Sequence, residues 1–153
     1  AVIDIIHRFF QIIKPKNILL GRKDYQQIIV IKELIKIYNY NINIISADTV
    51  RNKDGLALSS RNNFLTKEEI KIASEIQSSL LLSKKLYNDN ISINEITAMI
   101  NELFLQSFIN LEYFTIRDLK TLQHRNDNDL IALIAVYLGD IRLIDNIIIK
   151  SKQ

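Results

Sequence analysis

Ile18-Leu19-Leu20-Gly21-Arg22-Lys23-Asp24-Tyr25-Gln26-Gln27-Ile28 joins an apolar run to a helical pattern through a glycine and three charged residues. Its three leading apolar residues form a short strand-like run that stops at Gly21, and charged residues follow. Beyond them Ile28, Ile31, Leu34, Ile35 and Tyr38 recur at spacings of three and four, which predicts a helix from Tyr25 to about Tyr38. Asn43 to Ser46 then reads as a second buried strand. Strand, glycine turn, helix and strand in that order make a βαβ unit, whose parallel strands join by a right-handed crossover. In such sheets ligands sit beyond the carboxyl ends of the strands, so chemistry is expected in the loops Gly21 to Asp24 and Ala47 to Leu58.

On the N-terminal side, Ile3, Ile6, Phe9, Phe10 and Ile13 give Val2 to Ile13 one apolar helical face, and Lys14-Pro15 ends it. On the C-terminal side the pattern changes after Asn62. Thr66 with Glu69 is a capping box that predicts a long helix carrying Ile70, Ala73, Ile76 and Leu80. Ser92 with Glu95 repeats the device ahead of Ile96, Met99, Ile100, Leu103 and Phe104. Leu111 to Ile116, Leu130 to Leu138 and Ile141 to Ile149 read as strands, the last two joined by a tight hairpin at Gly139-Asp140. Helices followed by antiparallel strands predict a small α+β domain, with the boundary near Asp48.

At 153 residues, 48% hydrophobic and 24% charged, the chain is long and apolar enough to bury a core, which argues against disorder. Isoleucine, asparagine and lysine are used heavily but evenly, without a tract. The net charge of +3 is scattered and no Lys/Arg run exceeds two residues (Arg22-Lys23, Lys84-Lys85), so a nucleic-acid partner is not expected. With no cysteine there can be no disulfide and no thiolate metal site, and His7 and His124 lie too far apart in sequence to favour zinc. No apolar run approaches the roughly 20 residues of a membrane helix. The expectation is a soluble, cytoplasmic chain. Its opening, Ala1-Val2-Ile3, lacks an initiator methionine, and a fragment of a longer protein is expected.

Two segments contain residue types suited to binding an anion. Gly21 to Gln27 sets a cation and an anion at a strand-to-helix turn, where helix amides favour phosphate. There Lys23 can clamp a phosphate, Asp24 can hold a hydroxyl or a metal-bound water, and Gln27 can offer an amide to a polar substrate. The same spacing also suits a capped helix start with solvated charges. In Arg51-Asn52-Lys53-Asp54-Gly55-Leu56-Ala57-Leu58-Ser59-Ser60-Arg61-Asn62, two hydroxyls, successive backbone N–H groups and a guanidinium can surround a polyphosphate. An ordinary loop with a serine turn reads equally well. His7 beside Arg8 reads as structural and His124 as solvated. Asp127 and Asp129 lack calcium-loop spacing. Tyr113-Phe114 alternates into a strand and reads as core packing.

Gly21-x-Lys23-Asp24-Tyr25-Gln26-Gln27 and Asp54-Gly55-Leu56-Ala57-Leu58-Ser59-Ser60-Arg61-Asn62 together resemble the two C-terminal signature blocks of pantothenate synthetases. Lys14-Pro15 ahead of the first block, and Tyr137-Leu138-Gly139-Asp140-Ile141-Arg142-Leu143-Ile144-Asp145-Asn146 near the end, extend the resemblance along the chain. It implies the remainder of a Rossmann-like parallel-sheet domain over residues 1–48 and a small α+β C-terminal, lid-like domain over 49–153. It also implies an ATP-dependent ligase: pantoate and ATP, with magnesium, give a pantoyl adenylate and pyrophosphate, and β-alanine then displaces AMP. By the family's motifs, Gly21, Arg22, Lys23, Asp24, Val50, Leu58, Ser59, Ser60 and Arg61 would form the ATP-binding set, Val50 through its backbone at the adenine, and Gln27 would bind pantoate. Arg22 stands where the family usually has glutamate, and Leu20 where an aromatic residue lines the pantoate pocket. The resemblance places the family's adenylation histidine, and the domain through which the family usually forms a homodimer, in an N-terminal half that these residues do not match. No catalytic residue and no metal ligand is therefore expected here. A non-catalytic ATP-binding or assembly module, or another adenylyl or nucleotidyl transferase, are the alternatives.

Overall fold

The computed structural model describes residues 2–124 and 129–150 of the chain. It divides into two compact units, Ala1–Thr49 and Val50–Gln153.

The first unit contains α1 (Val2–Ile13), β1 (Asn17–Gly21), a three-residue 3-10 turn (Arg22–Asp24), α2 (Tyr25–Ile37) and β2 (Asn43–Ala47). Strands β1 and β2 pair in parallel from Asn17↔Asn43 to Gly21↔Ala47, so the βαβ order read from the sequence is the order observed. Phe10 of α1 meets Ile31 and Leu34 of α2, with Ile6, Ile18, Leu20 and Ile44 packed around them. Two expectations about this unit need correction. The strands are covered on one face only: Ile18 and Leu20 point inward, whereas Leu19 is 70% and Ile45 51% exposed. Likewise, of the apolar face expected on α1, Phe10 is buried while Ile3, Phe9 and Ile13 are exposed. A two-stranded sheet is too narrow to bury every apolar residue that the periodicity marks. The apolar runs therefore identify the strands correctly and overstate their burial, which alternates along β1.

The second unit holds a short 3-10 helix (Ser60–Phe64), α3 (Lys67–Ala73), α4 (Glu75–Asn88), α5 (Ile93–Leu105), and strands β3 (Asn110–Asp118), β4 (Leu130–Leu138) and β5 (Ile141–Lys150) in the antiparallel order β3-β4-β5. Both capping boxes form: Thr66 and Glu69 exchange hydrogen bonds of 3.2 and 2.7 Å, and Ser92 with Glu95 does the same. The long helix expected after Thr66 is broken at Ser74. Its hydroxyl donates to the Lys71 carbonyl at 2.6 Å and its N–H to the same carbonyl at 3.2 Å, tightening the turn so that a new helix starts at Glu75. Strand β4 is central and almost wholly buried, against Ile76 and Leu80 of α4 and Ile96, Ile100 and Phe104 of α5. Met99 and Leu103, expected on the buried face of α5, remain partly exposed. The turn between β4 and β5 is the two-residue Gly139-Asp140, and Gly139 supplies the positive φ of 55° that such hairpins need. The core packing expected of Tyr113-Phe114 holds for Phe114, which is buried, and not for Tyr113, which is exposed on the other face of β3. No helix among the described residues is long and apolar enough to cross a membrane.

The cap at Ser92 makes a testable statement about pH. Hydrogen bonds from the Ser92 hydroxyl and backbone hold the Glu95 carboxyl below its ordinary value. A carboxylate whose pKa is lowered by folding stabilises the fold above its unfolded pKa, and that contribution disappears as pH falls through the lower, folded value. In Ser92→Ala the Glu95 midpoint, followed by its side-chain carbon shift in an NMR titration, is expected to rise back toward 4.5. An unchanged midpoint would refute the hydrogen bond as the cause.

Candidate functional site

In the first unit, Gly21 and Ala47 are register partners, so both strands end at one edge of the sheet. From β1 the chain enters the turn Arg22–Asp24 and then α2; from β2 it continues to Asp48. Arg22 Nη1 reaches Asp48 Oδ1 at 2.7 Å across that edge. Both groups are substantially exposed, so the bridge adds about 0–1 kcal/mol at most. Asp24 is the N-cap residue of α2 and makes no capping bond through its side chain. Lys23 lies just ahead of the first turn of α2. Gln27 occupies the exposed side of that turn, while Tyr25 and Ile28 on the opposite side are buried.

The expectation of a second loop at the sheet edge holds for Asp48 and Thr49. From Val50 the chain belongs to the second unit, where Val50 to Leu58 closes into a tight hairpin. Leu58 N–H donates to the Val50 carbonyl at 2.9 Å, and Arg51 bridges Ala57. Asn52 accepts through Oδ1 from the N–H groups of Asp54 (3.0 Å) and Leu56 (2.9 Å). Leu56 and Ala57 anchor the hairpin in the core, leaving Val50 and Leu58 exposed side by side at its mouth. Ser59 is extended and accepts the Arg61 N–H at 3.3 Å, starting the 3-10 helix. Ser60 and Arg61 are exposed, and Arg61 Nη1 donates to the Arg142 carbonyl on β5 at 3.2 Å. Asn62 turns back to the Ala57 carbonyl at 3.1 Å.

The weaker candidates fall out as ordinary structure. His7 stacks on Tyr38 at 4.1 Å and is hydrogen-bonded to Tyr40 and Gln11, a packed aromatic cluster. His124 is exposed, and Asp127 lies outside the described residues. Among the described residues no three His, Cys, Asp or Glu side chains gather as a metal site. What sequence reading missed is a buried ion pair: both Asp145 oxygens accept from Arg51, at 2.5 and 3.1 Å, in the heart of the second unit. The signal was present, because Asp145-Asn146 interrupts the otherwise apolar run Leu143 to Ile149.

With this geometry in hand, comparison with known proteins is specific. The family model for pantoate-beta-alanine ligase matches residues 1–148. The pantothenate synthetase of Ruthia magnifica subsp. Calyptogena magnifica is 37% identical over 160 residues, covering 99% of this chain and 55% of that protein. Among solved structures, pantothenate synthetase from Thermus thermophilus gives a TM-score of 0.89 at 28% identity over 97% of this chain and 55% of that one. The pantoate-beta-alanine ligase from Francisella tularensis, complexed with beta-gamma ATP and beta-alanine, gives 0.69 at 34% identity over 98% and 50%. The mixed α/β architecture is thus one that pantothenate synthetase structures share. The chain belongs to the pantoate–β-alanine ligase family. It spans about half the length of the curated relatives it matches.

Two glycines of the matched blocks have opposite structural status. Gly55 has φ +89° and faces the Gln77 side chain, whereas Gly21 is extended, with open space where a Cβ would go. Gly55→Ala is expected to cost about 1–2 kcal/mol through its backbone alone. Gly21→Ala should stay within about 0.5 kcal/mol of the parent. Denaturant midpoints check both, and a destabilised Gly21→Ala would mean that the fold itself requires glycine there.

Proposed function

We propose that this chain forms the ATP-binding side of a pantoate–β-alanine ligase, which activates pantoate as its adenylate and transfers it to β-alanine with release of pyrophosphate and AMP. The family match over residues 1–148 carries the reading, because it takes in both anion-binding segments in order. The ATP-contacting residues are Gly21, Arg22, Lys23 and Asp24 of the first unit and Val50, Leu58, Ser59, Ser60 and Arg61 of the second; Gln27 binds pantoate. The relative from Francisella tularensis, described as complexed with an ATP species and beta-alanine, supports that choice of small molecules.

The chemistry these residues can supply is electrostatic. Lys23 and Arg61 neutralise charge that builds on the departing pyrophosphate, and the hydroxyls of Ser59 and Ser60 donate to its oxygens. The open space at Gly21 lets a phosphate approach the backbone, and the N-terminus of α2 presents the positive end of the helix dipole. Magnesium fits as an ion carried by the phosphates, since it keeps several waters and takes few protein ligands. The exposed carboxylate of Asp24 suits a metal-bound water. A cytoplasmic location and a homodimer formed outside these residues belong to the same reading.

No histidine of this chain is placed for adenylation, since His7 is engaged in an aromatic cluster and His124 lies in neither anion-binding segment. The 153 residues alone are therefore expected to release no AMP from ATP, pantoate and β-alanine, and a chain of full family length to do so. In that longer protein Lys23→Ala should lower kcat/KM for ATP by about 100-fold, the scale of losing one charge-stabilising donor. Unchanged ATP kinetics in Lys23→Ala would sink the assignment of Lys23, and robust AMP release by the 153 residues would sink the claim that they are incomplete.

A further inference from the structure

The Asp145 side chain is 3% exposed, in the middle of β5, and no residue of that strand neutralises it. Its partner comes from the start of the second unit. Arg51 forks onto both oxygens at 2.5 and 3.1 Å, and Asp145 Oδ1 also accepts the Asn146 N–H at 2.8 Å, which holds the carboxylate in one rotamer. The same guanidinium donates to the Gly55 carbonyl at 3.0 Å, at the tip of the hairpin, while the Arg51 backbone bridges Ala57. One guanidinium, held by the buried carboxylate, thus ties the base of the hairpin to its tip. Leu58 leaves that hairpin directly into Ser59, Ser60 and Arg61, and Arg61 is held by a second attachment to the same strand, the Arg142 carbonyl.

From this geometry we infer that Asp145 is the positioning residue of the phosphate-binding loop: acting through Arg51, it aims Ser59, Ser60 and Arg61 at a nucleoside triphosphate. The inference rests on the ATP reading above. Asp145 is buried beneath the hairpin, so its role is indirect. A pair that contributed only stability could be replaced by apolar side chains of similar volume, as buried ion pairs often can. A bidentate fork fixes direction as well as distance, and apolar packing does not.

The test uses the protein of full family length, with MgATP as the probe. Arg51→Lys keeps the buried charge neutralised, so the unit folds, but a point ammonium cannot fork onto Asp145 and reach Gly55 together. Its Leu58 and Arg61 amides are expected to exchange about tenfold faster, with the Glu69 and Glu95 amides unchanged, and MgATP to bind about tenfold more weakly. The double variant Arg51→Met with Asp145→Leu removes both charges. It is expected to unfold near the parent temperature yet keep the weakened MgATP affinity. Recovery of full MgATP affinity in the double variant, or unchanged loop exchange in Arg51→Lys, would overturn the inference. If the parent protein takes up no MgATP while Arg51→Lys still loosens the loop, the ATP reading fails and the aiming role falls with it, although the bracing is seen.

Discussion

A carboxylate buried in an apolar strand has to be answered, and in this protein the answer organises the second unit. Removing one member of such a pair costs about 3–5 kcal/mol, because the other charge is left desolvated. Asp145 is paired in register with Ile134 of the central strand, so β5 cannot slip along β4 without dragging the carboxylate from Arg51. The hairpin that supplies Arg51 lies 94 residues earlier, so the pair ties the beginning of the unit to its end. A polar interaction of this kind adds little net stability over a hydrophobic pair. What it adds is one permitted placement of the residues that follow the hairpin.

The first unit achieves placement by other means. Parallel pairing brings two strand ends to one edge without any turn joining them there, and the helix between them starts at that edge. There the positive end of the α2 dipole and Lys23 lie beside Asp24 and the Arg22–Asp48 ion pair, so both signs of charge meet at that edge. Neither unit needs an acid or a base to perform this part of the chemistry. In the proposed function both supply residue types suited to an anion, as a pyrophosphate leaving group would require.

Much of this was legible in the chain. The helix face Ile28, Ile31, Leu34, the two capping boxes and the Gly139-Asp140 turn are local signals, and each formed where it was read. What failed was read with local rules where non-local or side-chain effects decide. Ser74 breaks a helix that its neighbours' periodicity would continue, because its hydroxyl competes for the Lys71 carbonyl. Leu19 and Ile45 belong to apolar runs yet are exposed, because such a run does not say how many faces of a strand are covered. The residue types of Ser59, Ser60 and Arg61 suggest an anion loop, whereas the Arg51–Asp145 pair was invisible, since no spacing rule connects the two. The interruption of an apolar strand by Asp145-Asn146 was the trace it left.

In the proposed function Ser59, Ser60 and Arg61 receive the phosphates of ATP. A crystal structure of the protein of full family length, grown with MgATP and pantoate, is the decisive measurement. Phosphate oxygens are expected within hydrogen-bond reach, about 2.7–3.2 Å, of the two hydroxyls and the Arg61 guanidinium, with the Arg51 fork on Asp145 intact. ATP bound with its phosphates away from all three residues would contradict it.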